Sequence, residues 1–342
     1  MLNRIILMLA LLLSYATARA YDFQAIADRH VLPTYRSLAE RTAELDLAAR
    51  AYCARPSDLA LAHLQAGYRG AFLAWQGAQH LRFGPVQYLS REYRFELWPD
   101  ERGAVGRHLG QLLDDPALLQ ADFDIGQKSV AVQGFSAMER LLFAGTPPDT
   151  TACRLVVAIA ANLRDMADGI VGDWSTGDTP YIRYFADPAP GNPLFANKAE
   201  LAGRLLNSLH TELELIITQK LARPLDKGLE KARGKRAEGW RSQTGLPAIA
   251  ANLGACHALY RQAFAPELAD ASPHPQIEAA FAQARSTLEK LHMPLADAVS
   301  DPDQRALVEQ LQAELSALKQ LLARDLAAAL GLSLGFNSLD GD

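Results

Sequence analysis

The stretch LAHLQAGYRGAFLAW, residues 61–75, indicates the structural class of this 342-residue chain. Its large side chains recur at steps of three and four residues, at Leu61, Leu64, Tyr68, Phe72 and Trp75. This spacing places all five on one face of an α-helix, so it predicts a helix that packs against a core.

The same period continues toward the C-terminal end, where a row of leucines predicts the last long helix. The row comprises Leu307, Leu311, Leu315, Leu318, Leu322 and Leu326. Asp301-Pro302 is typical of the start of that helix, and Asn197 with Glu200 resembles a capping box. No apolar run alternates with polar residues between turn signals, as a strand would. We therefore predict an all-α fold of about nine helices.

Two segments interrupt the helical pattern. Residues 176–193 hold three proline-containing turns and predict a long loop. Residues 227–240 are charged and contain glycine. Because long helices joined by short turns pack best as antiparallel bundles, we predict two helical bundles, at residues 21–195 and 196–342.

Residues 1–20 have the pattern of a cleavable export signal. Arg4 precedes an apolar run from Ile5 to Leu13, and the small-residue sequence ARA occupies positions 18–20. The apolar run is too short to anchor the chain across a bilayer. We expect cleavage before Tyr21, a periplasmic location, and no membrane span in the mature chain.

The charge composition of the chain argues against one class of function, nucleic-acid binding. The chain carries 34 Lys and Arg against 39 Asp and Glu, a formal net charge of -5. This mildly acidic balance argues against general nucleic-acid binding, which usually shows a basic face. The hydrophobic content of 49% is sufficient for two cores.

The three cysteines are Cys53, Cys153 and Cys256. Export to an oxidising compartment favours one disulfide. We expect the pair Cys53–Cys153, since both residues lie in the N-terminal half at the predicted starts of helices. The alternative is three buried thiols. No C-x-x-C spacing is present, so the cysteines do not predict a zinc site.

Five sequence motifs resemble those of one known family. The hexapeptide GFSAME, residues 134–139, resembles the Gly-x-His-x-x-Glu signature of the imelysin-like (M75 peptidase) family, with Ser136 in place of the histidine. The other four motifs follow the order expected for that family. They are Ala74-Trp75 through Phe83-Gly84-Pro85-Val86, Leu97-Trp98-Pro99-Asp100, Trp240-Arg241-Ser242, and the C-terminal sequence of residues 334–342.

This resemblance implies two helical bundles in a pseudo-twofold relation, with a site in the groove between them. It also implies an exported protein connected with the uptake of iron or another metal. The ligand expected on this basis is a metal ion or a metal chelate, and the expected partner is an iron-uptake receptor or permease.

Glu139 and Ser136 are the first candidate ligand-binding residues. They are three residues apart and therefore share one helix face. Glu139 is the candidate metal contact, although a hydroxyl at position 136 is a poor transition-metal ligand beside the imidazole it replaces. The alternative for Glu139 is a structural ion pair with an arginine of a neighbouring helix. For Ser136 it is a small residue that lets helices approach.

Arginines supply the remaining candidates. Arg82 and Arg94 lie in an arginine-rich, aromatic-rich segment that could bind a carboxylate or phosphate-like group through planar guanidinium forks. Surface salt bridges are the alternative. Arg241 and Ser242, from the second half, are expected to close the same groove, with a capped helix start as the alternative. In the family an acidic residue often precedes the Phe-Gly-Pro turn, and here Gln79 is the corresponding second candidate metal ligand. His80 beside it could restore an imidazole to the site, with a hydrogen-bonded or exposed histidine as the alternative.

No catalytic residues are predicted. None of the eight histidines is followed by glutamate, either directly or three residues later, so the zincin motif is absent. We therefore favour a binding or accessory protein. A protein that docks on a membrane receptor or transporter is the first alternative, and a metallopeptidase, as the family name suggests, is the second.

Overall fold

The computed structural model describes residues 21–120, 122–268 and 272–334. The proposed export signal and the C-terminal motif from residue 335 lie outside these ranges. The described residues form helices and no strand, so the predicted all-α class is confirmed. None of their helices has the length and apolar character needed to cross a bilayer.

Nine helices in the described ranges have eight or more residues, and shorter turns connect them. In chain order these nine are α1 (Leu32–Ala54), α2 (Asp58–Ala78), α3 (Ala104–Leu113), α4 (Phe135–Leu142), α5 (Thr150–Ser175), α6 (Lys198–Leu215), α7 (Gly245–Ala263), α8 (His274–Glu289) and α9 (Pro302–Gln320).

Shorter helical segments extend or link these helices. The α-helical ones are Phe23–Ile26, Arg91–Phe95, Tyr181–Ala186, Ala222–Leu225, Ala265–Leu268, Leu295–Ala298 and Ala327–Leu330. π-Helical segments are Ala27–Val31, Ile216–Leu221 and Leu321–Leu326. The 3₁₀ turns are Gly84–Ser90, Pro116–Leu119, Ile125–Gln127, Val130–Val132, Leu229–Lys231 and Gly234–Arg236.

The helices pack in two groups. In the first half, α1 packs against α2 and α5. In the second half, α6 packs against α7 and α9, and α8 packs against α9. The groups meet where α2 contacts α7. The boundary at residues 195/196 remains a prediction.

The opening stretch forms α2. The Ser57 hydroxyl caps this helix by accepting from the Ala60 backbone N–H at 3.2 Å. Leu64, Tyr68, Phe72 and Trp75 are buried as their spacing predicts, whereas Leu61 is partly buried. Apolar burial therefore fixes this helix between α1 and α7.

Both predicted helix starts carry cap hydrogen bonds. Asp301 accepts from the Gln304 backbone N–H at 2.9 Å, and Asn197 accepts from the Glu200 backbone N–H at 3.0 Å. The Glu200 carboxylate reaches back to the Ala196 N–H, one residue before the cap, so this is a shifted capping box.

The loop predicted at residues 176–193 is partly wrong, because Tyr181–Ala186 is helical. Tyr181 and Phe185 lie one helical turn apart, are buried, and contact the rings of Trp174 and Phe195. The flanking prolines are typical of a loop, but burial of these aromatic rings stabilises a helical turn between them.

The structure places Cys53 and Cys153 in a disulfide, with their Cα atoms 5.6 Å apart. The bond connects the end of α1 to the first turn of α5. The expectation that both cysteines start helices is wrong for Cys53, since α1 begins 21 residues earlier at Leu32. Cys256 is a buried free thiol in α7.

His30 and His80 form a buried pair, with their Nε2 atoms 2.7 Å apart. Burial lowers the pKa of His30 from its usual 6.5 to about 4. Burial, and then the charge of His30, holds the pKa of His80 well below its usual range. Both rings are therefore neutral in the folded protein at neutral pH.

Acid is expected to destabilise the fold through this pair. The unfolded chain binds a proton on each imidazole near pH 6.5, whereas folded His30 does so only near pH 4. The free energy of unfolding should therefore fall as the pH drops from about 6.5 toward 4, by roughly 3 kcal/mol for His30 alone. Urea unfolding followed by circular dichroism over this range measures the effect.

His30→Gln replaces the imidazole with an amide that does not titrate but can still hydrogen-bond to His80, so it should weaken this dependence. His63→Gln, at an exposed position of α2, should leave it unchanged. An equal slope in both variants would show that other groups control the acid response.

Candidate functional site

The motif glycine, Gly134, lies where two backbone segments touch. A Cβ atom built at this position would lie 2.1 Å from the Phe95 carbonyl oxygen and 2.2 Å from that of Arg94. Only a residue without a side chain fits there. This close approach sets α4 directly against the segment that leads into Leu97.

Position 136, where the motif that this sequence resembles has a histidine, holds a half-buried serine whose hydroxyl already has a partner. Ser136 Oγ donates to the Leu97 carbonyl oxygen at 3.1 Å. The serine thus ties α4 to the loop of residues 96–101. This contact agrees with a small residue that permits close packing, and Ser136 also lines the cavity described below.

Glu139 joins the two halves of the chain. Its Oε1 accepts from the Ser242 backbone N–H at 2.9 Å and from the Ser242 hydroxyl at 2.7 Å. Arg69 Nε donates to the Ser242 carbonyl oxygen at 3.0 Å and holds the same turn from α2. The expected alternative, an arginine ion pair for Glu139, is wrong within the described residues, because the turn at 242 supplies its N–H and hydroxyl instead.

Beside this contact, the guanidinium group of Arg241 packs over the indole ring of Trp240. Its guanidinium carbon lies 4.2 Å from the centre of the Trp240 ring, and Lys235 Nζ lies 5.5 Å from the same centre. Burial and then the charge of Arg140 lower the pKa of Arg241, while the charge of Glu139 acts in the opposite direction.

These residues line a cavity of about 520 Å³, which we call the Trp240 cleft. The first half of the chain supplies the loop of residues 96–101 and the polar face of α4. The second half supplies Lys235–Ala237 and Gly239–Arg241. Ser136, Glu139 and Arg241 therefore meet in one cavity, and Ser242 lies behind Glu139.

Arg82 lines a second cavity, of about 560 Å³, together with Gln79 and Glu92. Glu96–Glu101 line both cavities, so this loop lies between them. Burial raises the pKa of Glu92, and the charge of Arg82 partly opposes this shift. Arg82 is thus separated from the Trp240 cleft by the loop.

Arg94 lines neither of these cavities. Its Nε donates to Gln133 Oε1 at 2.6 Å, and its Nη2 donates to Asn162 Oδ1 at 3.1 Å. These contacts hold the Arg91–Phe95 helix against Gln133, at the end of the Val130–Val132 turn, and against α5. The structure therefore gives Arg94 a structural position, in contrast to the expected place in the groove.

A buried polar cluster behind the cleft was not predicted. Lys220, 1% exposed, lies 2.9 Å from a Glu238 carboxylate oxygen and donates to Asn252 Oδ1 at 2.8 Å. It also donates to the side-chain oxygens of Gln76 and Gln79. The available sequence signals were a lysine in the apolar run LIITQKL and two glutamines at the C-terminal end of α2, Gln76 and its C-cap Gln79.

Glu96 connects this cluster to the loop between the cavities. Its Oε2 accepts from Trp75 Nε1 at 3.0 Å and from Gln76 Nε2 at 3.1 Å. Burial, and then the charge of Glu238, raises the pKa of Glu96 well above its usual range. The segment around Glu238 is therefore held by the same network that holds the loop.

The cleft does not fit a tightly held transition metal. Its described lining contains no histidine or cysteine, and no group of three or more potential ligands occurs in the described ranges. Ser136 donates its proton to a carbonyl, and one Glu139 oxygen is occupied by Ser242. His80 does not supply the missing imidazole, because it is paired with His30.

The helices and the cleft define an all-α protein with a ligand-sized cavity between two groups of helices. The family model described as Imelysin, of the M75 peptidases, matches residues 31–322, so the chain belongs to the imelysin family.

The chain is also similar to one curated protein in sequence and to one solved structure in fold. The chain is 24% identical over 314 residues to iron-regulated protein A of Synechococcus elongatus, covering 88% of this chain and 84% of that protein. The fold is similar to the crystal structure of an imelysin-like protein from Psychrobacter arcticum 273-4, with a TM-score of 0.77 and 21% identity. That match covers 92% of this chain and 96% of the other.

Proposed function

We propose that this chain is an exported, periplasmic accessory protein of iron acquisition that binds its ligand in the Trp240 cleft. The export pattern of residues 1–20 and the name of the Synechococcus relative support this proposal. The observation that carries it is the contact of Glu139 with Ser242, because it joins the motif helix to the second half at the wall of a ligand-sized cavity.

The proposed ligand is an iron chelate rather than a bare ion. The cleft lacks the imidazole and thiolate ligands that hold transition metals firmly. Arg241 and Ser136 would contact the chelate, while Glu139 and Ser242 would fix the shape of the wall. The proposed partner is an uptake receptor or permease in the membrane, with which the chelate is exchanged.

Deletion of the gene is expected to reduce uptake of radioactive iron under iron limitation, and the wild-type protein should restore it. Glu139→Ala should restore it poorly, because the Ser242 turn loses its acceptor and the cleft wall loosens. Glu44→Ala removes an exposed carboxylate of α1 and serves as the control.

Equal protein levels in periplasmic extracts are required for the comparison. Unchanged iron uptake in the deletion strain, or full restoration by Glu139→Ala, would overturn the proposal.

A further inference from the structure

The Trp240 cleft contains cations without carboxylate partners. Five basic residues line it, of which Arg223 pairs with Glu101 at 2.6 Å and Arg236 approaches Asp226 at 3.8 Å. Arg241 and Lys235 form no ion pair with any described residue, and Arg140 reaches Asp100 only at 3.8 Å.

The acidic residues of the cleft are already engaged. Asp100 accepts from the backbone N–H groups of Ala104 and Val105 at 2.7 and 3.0 Å, which caps α3. Glu139 accepts twice from Ser242, and Glu96 accepts from Trp75 and Gln76. These hydrogen bonds occupy the carboxylate oxygens, and none of the three carboxylates forms an ion pair with Arg241 or Lys235.

Two of the unpaired cations lie near one indole ring. Arg241 and Lys235 both lie over the Trp240 ring, and the charge of Arg140 contributes to lowering the pKa of Arg241. Gathering like charges in a half-buried cavity costs free energy unless an anion compensates them. Guanidinium groups bind the oxygens of carboxylate and phosphate through two parallel hydrogen bonds.

We propose that the cleft binds a multiply charged oxyanion, namely a small polycarboxylate. Arg241 and Lys235, which lie over the Trp240 ring, and Arg140 would bind its carboxylate groups. This inference rests on the proposed function, since the polycarboxylate would be the chelating part of the iron ligand. A cavity of about 520 Å³ accommodates a molecule of the size of citrate together with bound iron.

Calorimetry of the mature protein with citrate, ferric citrate and inorganic phosphate tests the inference. We expect binding of citrate or ferric citrate that weakens as sodium chloride is added, because the attraction is between charges. Arg241→Gln should raise the dissociation constant about 10- to 100-fold, as the loss of a charge-assisted hydrogen-bonded pair does. Arg241→Lys should recover only part of this, since it keeps the charge and loses the fork.

Arg41→Gln is the matched control, because it removes one positive charge from an exposed pair on α1. Thermal unfolding of each variant establishes that it is folded. Equal affinity in Arg241→Gln and Arg41→Gln would overturn the inference, and so would the absence of binding by any of the three anions.

The two proposals fail in distinguishable ways. Iron-free citrate binding that depends on Arg241, without any effect of the protein on iron uptake, would retain the anion site and remove the iron role. Ferric citrate binding that does not depend on Arg241 would retain the iron role and remove this site. Tighter binding of phosphate than of either citrate form would overturn the assignment to a polycarboxylate.

Discussion

Gly134→Ala is expected to lower the free energy of unfolding by about 3 kcal/mol or more, or to prevent folding. The new methyl group would lie 2.1 Å from one backbone oxygen and 2.2 Å from another. A side chain could rotate away from such an overlap, but two carbonyls of a packed segment cannot. Overpacking of a core typically costs about 1–3 kcal/mol, and a backbone clash falls at or above the upper end.

Gly110→Ala is the matched control for this experiment. Gly110 lies inside α3, and a Cβ atom added there would meet no neighbouring atom within 4 Å. Alanine there should change stability by less than about 1 kcal/mol and in the stabilising direction, because it favours the helix. Urea unfolding by circular dichroism compares the two, and equal stabilities would contradict the packing role of the motif glycine.

Lys220→Met is expected to cost about 3–5 kcal/mol of unfolding free energy. The ammonium lies 2.9 Å from Glu238, which is 2% exposed, so its removal leaves a buried carboxylate without a counter-charge. The oxygens of Gln76, Gln79 and Asn252 would lose their common donor at the same time.

The double variant Lys220→Met/Glu238→Gln separates these effects. It removes both charges and should recover a substantial part of the lost stability. Lys319→Met provides the control, because Lys319 pairs with Glu214 at a partly exposed position and should cost far less. A Lys220→Met protein within about 1 kcal/mol of wild type would contradict the importance of the buried pair.

The buried cluster also bears on the cleft. Glu238 lies two residues before Trp240, so its pairing with Lys220 anchors the turn that presents Trp240 and Arg241. We therefore expect damage to the cluster to weaken ligand binding as well as stability. The position of the cleft wall depends on an ion pair that does not itself line the cavity.

The sequence alone determined the helical class, the helix starts at Asn197 and Asp301, and the family motifs, because each is a local pattern. A helix period repeats about every 3.6 residues, and a cap reaches only three or four residues along the chain. The same local rules missed the Tyr181–Ala186 helix, where buried aromatic rings outweigh the surrounding prolines.

Only the tertiary structure decided which partners the charged side chains contact. Glu139 and Ser242 are 103 residues apart, and Lys220 and Gln76 are 144 residues apart. The structure also separated Arg82 and Arg94 from Arg241, although all three are arginines beside aromatic residues. A charged side chain has the same local sequence signal whether it faces solvent, a buried carboxylate or a ligand cavity. Its role depends on the partners and the burial that the packing of distant helices supplies.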